Sequence, residues 1–123
     1  MPSFSLEYFK KKLQLNQHAS IRIISDSMSP LITPGEIIEI SPITSELNRF
    51  EIVLFDYYGT PFCHFYWEDV ANSDFICTKS LKTPHLSDIP IHKNKLIGKI
   101  TSKKLTPYQK FTVYLKIAWY KIK

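Results

Sequence analysis

Apolar positions along this chain fall in short runs separated by polar and turn-forming residues. Over residues 5–13, beginning at Ser5, Leu6, Phe9 and Leu13 recur on one helical face. Lys10, Lys11 and Lys12 stand toward the end of that stretch, where the helix macrodipole favours cations. A short N-terminal helix is predicted there. Ile21, Ile23 and Ile24 predict a strand that stops at Ser25. The segment SDSMSPLITPGE then reads as turn-rich, punctuated by Pro30, Pro34 and Gly35. Residues 37–40 and 52–55 are short β-branched or aromatic runs, the second leading to a turn at Tyr58-Gly59. Residues 61–67 and 74–79 predict two strands joined near Asn72-Ser73, and residues 95–101 a last one.

At Thr106-Pro107 the period changes. Threonine caps a helix, and proline suits the first helical position, where no N–H is needed. Beyond them Tyr108, Phe111, Leu115, Ala118 and Ile122 line one face, with Trp119 on its edge and Lys110, Lys116, Lys121 and Lys123 off it. Many short strands with almost no helix between them predict a mainly β, small and largely antiparallel fold. It carries a short N-terminal helix and a C-terminal amphipathic helix. The expectation is one domain over residues 1–123, with a β core at about 19–102 and a basic helix at about 106–123.

The length of 123 residues fits one domain able to bury a core without metal or disulfide staples. No run approaches the ~18 apolar residues of a membrane span. The opening MPSFSLEYFKKKLQLNQ lacks the order of a secretory signal. Cys63 and Cys77 form no CxxC pair and read as two buried thiols in a reducing compartment. His85 and His92 have no third ligand in view, so neither a metal nor any other cofactor is expected, and His18 reads as a surface residue.

Charge is unevenly spread. Residues 1–92 carry seven Lys+Arg and eleven Asp+Glu, whereas residues 93–123 carry nine Lys and no acid. The basic end suits an anionic surface, membrane or nucleic acid, or simply a solvated face. Combined with the helical stripe, it favours membrane contact through residues 106–123, with the stripe packed back on the β core as the competing reading. No nucleic acid is expected as a partner.

The chemistry concentrates in Ser25-Asp26-Ser27-Met28-Ser29-Pro30 and the following Leu31-Ile32-Thr33-Pro34-Gly35-Glu36. A serine hydroxyl becomes a useful nucleophile when a base accepts its proton and donors hold the developing oxyanion. A turn placed directly after a strand can expose the hydroxyl and aim backbone N–H groups at the same point. Taken singly, these residues have plainer roles: Ser25 as a strand end, Met28 as packing, His64 as a half-buried histidine and Asp88 as a turn acid.

The order S-x-S-M-x-P-x-[IL]-x-x-G-[DE], met here by Ser25, Ser27, Met28, Pro30, Ile32, Gly35 and Glu36, resembles the nucleophile box of the type I signal peptidases. The SOS-response repressor autoproteases share that box. Further pieces follow in that family's order: residues 49–55 look like G-D-I-V-x-F, and Cys63-His64-Phe65 stands at the H-R of the eukaryotic and archaeal branch. Thr78-Lys79 stands at a T-K, Asp88-Ile89-Pro90-Ile91 at D-x-P-V, and residues 96–100 at I-I-G-K-V. The resemblance spans residues 20–102 and implies a signal-peptidase-like β fold.

It also implies a serine endopeptidase with Ser27 as nucleophile, His64 as general base and Asp88 orienting the imidazole. The Ser25 hydroxyl and the Ser27 N–H would form the oxyanion hole. Imidazole, with an ordinary pKa near ~6.5, accepts a proton at neutral pH without the burial that a lysine base needs. The implied substrate is a protein precursor or leader peptide, bound extended along a strand edge.

Two departures accompany the resemblance. Ser80-Leu81-Lys82 replaces the G-D-N that shapes the loop before Asp88, and Phe65 replaces the arginine after the histidine. They leave a catalytically inactive, peptide-binding relative as the alternative. An autoprotease of the repressor type is disfavoured because only about twenty residues precede the core, too few for an ordinary DNA-binding domain. No N-terminal membrane anchor is read in the chain, so the expectation is a cytoplasmic protein peripherally associated with the inner face of the membrane.

Overall fold

The structure is a computed structural model that describes residues 6–86 and 88–121. Expectations for Ser5, Ile122, Lys123 and the Leu6 side chain therefore lie outside the described residues. The chain is mainly β. Helix α1 (Leu6–Asn16) is followed by β1 (Ala19–Arg22), β2 (Ile37–Ser41), β3 (Ile52–Tyr57), β4 (Thr60–Asp69) and β5 (Phe75–Lys79). Then come a two-residue β6 (Ile91–His92), a 3-10 turn (Lys93–Lys95), β7 (Leu96–Ile100) and helix α2 (Pro107–Lys121). All strand pairs are antiparallel, in the order β1-β2-β7-β3-β4-β5-β6.

β3 lies inside this sheet, between β7 and β4, and its four consecutive apolar residues from Ile52 to Phe55 are all buried. Both of its faces are covered, which is why its sequence shows no alternation. β2 alternates instead, with Ile38 and Ile40 buried and Ile37 and Glu39 exposed. The core joins Ile38, Ile40, Leu54, Phe65 and Ile100 from the sheet to Leu13 of α1 and Val113 of α2.

Two glycines are required where they stand. At Gly98 a Cβ would come within 2.6 Å of Ile40 Cγ2 and 2.7 Å of the Ser41 carbonyl oxygen, so only glycine lets β7 press against β2. Gly35 has φ +89°, and the Glu36 N–H donates to the Thr33 carbonyl at 3.1 Å. Thr33-Pro34-Gly35-Glu36 is therefore a type II turn, with proline and glycine at the two positions that favour them.

α1 runs beyond the predicted end. It stops where Gln17 turns into the left-handed region (φ 62°) and donates its N–H to the Leu13 carbonyl. Lys10–Lys12 consequently stand in mid-helix, and the last turn holds no basic residue, so the expected macrodipole contribution does not arise. Lys10 instead reaches the Asn94 carbonyl at 2.9 Å and ties the helix to the 3-10 turn.

α2 opens with a reciprocal cap. The Gln109 N–H donates to Thr106 Oγ1 and the Thr106 N–H to Gln109 Oε1. Its inward face differs from the predicted stripe. Val113 is fully buried and Ile117 packs on the core, while Tyr108, Phe111, Leu115, Ala118 and Trp119 face outward. The reading in which that stripe packs on the β core is thus corrected, because a different face makes the contact. Among the described residues no helix is long and apolar enough to cross a membrane.

Candidate active site

The serine box forms a turn hung between β1 and β2. Beyond β1 the ladder continues, with the Ile23 N–H donating to the Glu36 carbonyl and the Gly35 N–H to the Ile23 carbonyl. From there the chain enters a turn in which the Ser29 N–H donates to the Asp26 carbonyl and the Ile32 N–H to the Met28 carbonyl. Met28 and Ile32 are buried and anchor the turn to the core. Their place in the motif is explained by packing, and the half-buried Ser25 and Ser27 are left on the outer side.

The two serines meet each other. Ser25 Oγ donates to Ser27 Oγ at 3.0 Å and accepts the Ser27 N–H at 3.2 Å. The hydroxyl and the N–H expected to hold an oxyanion are therefore gathered about one point, linked through Ser25 Oγ. Ser27 Oγ in turn donates to the Cys63 carbonyl at 3.4 Å. That contact is possible because β5 pairs with β4 only from Phe65 onward, so the preceding part of β4 is open to the turn.

His64 is the next residue on β4, opposite Val53 of β3, with its ring edge-on to Phe55 at 5.5 Å. Its Nδ1 is 2.6 Å from Asp88 Oδ2. A carboxylate accepts only, so Nδ1 carries the hydrogen and Nε2 is left with the lone pair a base needs. Among the described hydrogen bonds the Ser27 hydroxyl goes to the carbonyl beside His64 rather than to the imidazole. The structure thus brings together Ser25 with Ser27, and His64 with Asp88. Ser27 reaches the Cys63 carbonyl and Asp88 the His64 ring, so the two pairs bear on adjacent residues of β4.

Thr78 completes the Asp88 environment, and the sequence reading gave it no role. Its hydroxyl, on a residue buried within β5, donates to Asp88 Oδ2 at 3.3 Å. The available signal was the pattern of β5: Ile76 and Thr78 alternate inward, and a buried hydroxyl needs an acceptor.

The segment standing in for G-D-N has its own construction. Ser80 and Thr83 hydroxyls pair at 2.9 Å, and the Thr83 N–H donates to Ser80 Oγ. The Lys82 N–H donates to the Ser27 carbonyl at 3.0 Å, and Lys82 Nζ pairs with Asp26. The hydrogen bond and charge of Lys82 hold the Asp26 carboxyl below its ordinary value. Further along, the His85 ring stacks on Tyr120 of α2, with centroids 3.7 Å apart. These contacts tie down residues 80–85 ahead of Asp88.

Cys63 is no rival nucleophile, since burial pushes its thiol up to about 12 and it remains protonated at neutral pH. Cys77 is half-buried and also free, so of the two thiols read as buried only Cys63 is fully so. A cavity of about 330 Å³ lies beside His64 and Asp88, lined largely by Phe55, Tyr57, Phe62, Ile89 and Ile91. A larger one of about 580 Å³, near Lys10, Glu46 and Lys93, contains none of the four candidate residues. The paired His64 and Asp88 line the smaller cavity, whereas Ser25 and Ser27 do not. No protein-family model matches the chain, and no curated protein matches it.

Proposed function

We propose that the protein is a serine endopeptidase of the signal-peptidase type, acting on an extended peptide or precursor segment. The observation that carries this reading is the convergence on β4. The Ser25–Ser27 turn lies against the residue that precedes His64, and His64 is held by Asp88 in the tautomer a base requires. In the reaction, the Ser27 hydroxyl exchanges the Cys63 carbonyl for His64 Nε2, gives up its proton there and bonds to the peptide carbonyl carbon. The Ser27 N–H and Ser25 hydroxyl turn to the oxyanion. The imidazolium then protonates the leaving amine, and water, activated by the same nitrogen, releases the acyl group from Ser27. β1, the terminal strand of the sheet, runs toward the turn and provides an edge for an extended peptide.

The present direction of the Ser27 hydroxyl, toward a carbonyl instead of the imidazole, favours a second reading: an inactive relative that keeps the peptide groove. A fluorophosphonate probe separates the two. The peptidase reading expects covalent labelling of the wild type and none of Ser27→Ala. Peptide binding by a wild type that the probe never labels would establish the second reading.

A further inference from the structure

We propose that the outward face of α2 docks on an anionic membrane surface. At about 100° per residue, Tyr108, Phe111, Leu115, Ala118 and Trp119 fall within one arc of roughly 100°. Val113 and Ile117, the residues packed on the core, lie on the opposite side of the helix. A helix already seated on a core normally turns polar residues to water. Here the outward arc contains no charge, and Tyr108, Phe111, Leu115 and Trp119 remain 74, 58, 51 and 56% exposed.

The occupant is chosen by charge. Lys116 lies about 60° beyond one edge of the arc and Lys121 about 60° beyond the other. Lys110 stands further round, with its ammonium over the Phe50 ring, and residues 93–123 contain no acid. Of the basic residues just upstream, Lys99 and Lys103 are engaged by Glu51 and Glu36, so they add little to the face. A symmetric pair of such faces would set lysine against lysine with no acid from either α2. An anionic bilayer satisfies both features at once: the aromatic and aliphatic ridge enters the interface, and the flanking lysines extend their ammonium groups to the headgroups. Tyr108 near the start of the helix and Trp119 near its end are the side chains that favour this depth. The proposal does not depend on peptidase activity, and Ser27→Ala protein should dock equally well.

The test uses the full chain with vesicles of phosphatidylcholine, with or without phosphatidylglycerol. Sedimentation with the anionic vesicles is expected at ~0.01 M salt and loss of it at ~1 M, where the screening length falls from about 30 to 3 Å. Binding to neutral vesicles should be far weaker. The Lys116→Gln/Lys121→Gln variant should lose about fivefold in partitioning per lysine. Phe111→Ser/Leu115→Ser should lose at least tenfold while its thermal unfolding is unchanged, because both side chains are solvent-facing. In a Trp67→Phe background, Trp119 emission should shift to the blue when anionic vesicles are added. Protein left in the supernatant at low salt, or equal binding to neutral vesicles, overturns the proposal. So does self-association that Phe111→Ser/Leu115→Ser abolishes in protein that no vesicle retains, which would make a second copy the occupant.

Discussion

Ser27 sits among three neighbours: Ser25 donates to its oxygen, the Cys63 carbonyl accepts a hydrogen bond from its hydroxyl, and the Lys82 N–H donates to its own carbonyl. Removing the hydroxyl in Ser27→Ala should abolish turnover without unfolding a half-buried turn anchored by Met28 and Ile32. Ser25→Ala should retain labelling of Ser27 but lower turnover by about 10²–10³-fold, the usual cost of one oxyanion donor. On the proposed peptidase reading, a Ser25→Ala variant with the wild-type rate would remove that hydroxyl from the oxyanion hole. Thr78→Val keeps the shape of a buried side chain and deletes the hydrogen bond to Asp88. A fall of about tenfold is expected, in line with one hydrogen bond to a charged group. Ser25, Ser27, His64 and Asp88 could be picked out as candidates because their order along the chain carries the pattern, and the structure pairs Ser25 with Ser27 and His64 with Asp88. Thr78 could not, since its role exists only once β5 and the Asp88 segment are side by side. Nor could any sequence show which acceptor a rotating hydroxyl selects.

At the scale of elements, short apolar runs bounded by turn residues located five of the strands closely, whereas the first, expected to run through Ile24, lies at Ala19–Arg22 and leaves Ile24 exposed. The two-residue β6 escaped because its Ile91–His92 pairing is fixed by Phe75 and Ile76 across the sheet, not by local preference. α2 shows a different limit. Its cap and length follow from Thr106, Pro107 and the helical period, yet apolar residues occupy both sides of it. Periodicity then gives a spacing without a phase. The phase is set by tertiary contact: Leu105 is buried just before the cap, and Tyr114 meets Phe50 and Trp67, which turns Val113 inward. Val113→Ala should therefore cost about 2 kcal/mol, from two lost methyl groups and the cavity they leave. Phe111→Ser should stay within ~0.5 kcal/mol. Urea denaturation of the two variants measures the difference, and the reverse order would assign the core-facing side to the wrong residues. Gly98→Ala belongs to the same experiment. Its new methyl meets a backbone oxygen that cannot rotate away, so a loss of about 1–3 kcal/mol is expected.

Across the whole molecule, the charge asymmetry of the sequence becomes a set of cross-chain pairs. Lys99 and Lys103, from the basic end, meet Glu51 and Glu36 from the acidic part at 2.8 Å each. Burial alone would raise the Glu51 carboxyl, but the Lys99 ammonium and the Asn48 N–H outweigh it and hold the group below its ordinary value of 4.5. Lys103 does the same for Glu36, and Lys82 for Asp26. With native values below those of the unfolded chain, the unfolded state binds more protons in acid. The stabilisation is complete above about pH 4.5 and disappears as pH falls through the lowered native values. Added positive charge acts in the same direction, since the lysines of α2 lose compensating carboxylates elsewhere on the surface. Glu51→Gln isolates the most enclosed of these pairs. It should be less stable than wild type at pH 7 by about 1 kcal/mol, and the two proteins should converge as pH falls through the lowered native value. Denaturant midpoints measured at pH 7 and in acid decide the point. A Glu51→Gln deficit that persists undiminished in acid would mean that the side chain acts through packing and not through its charge.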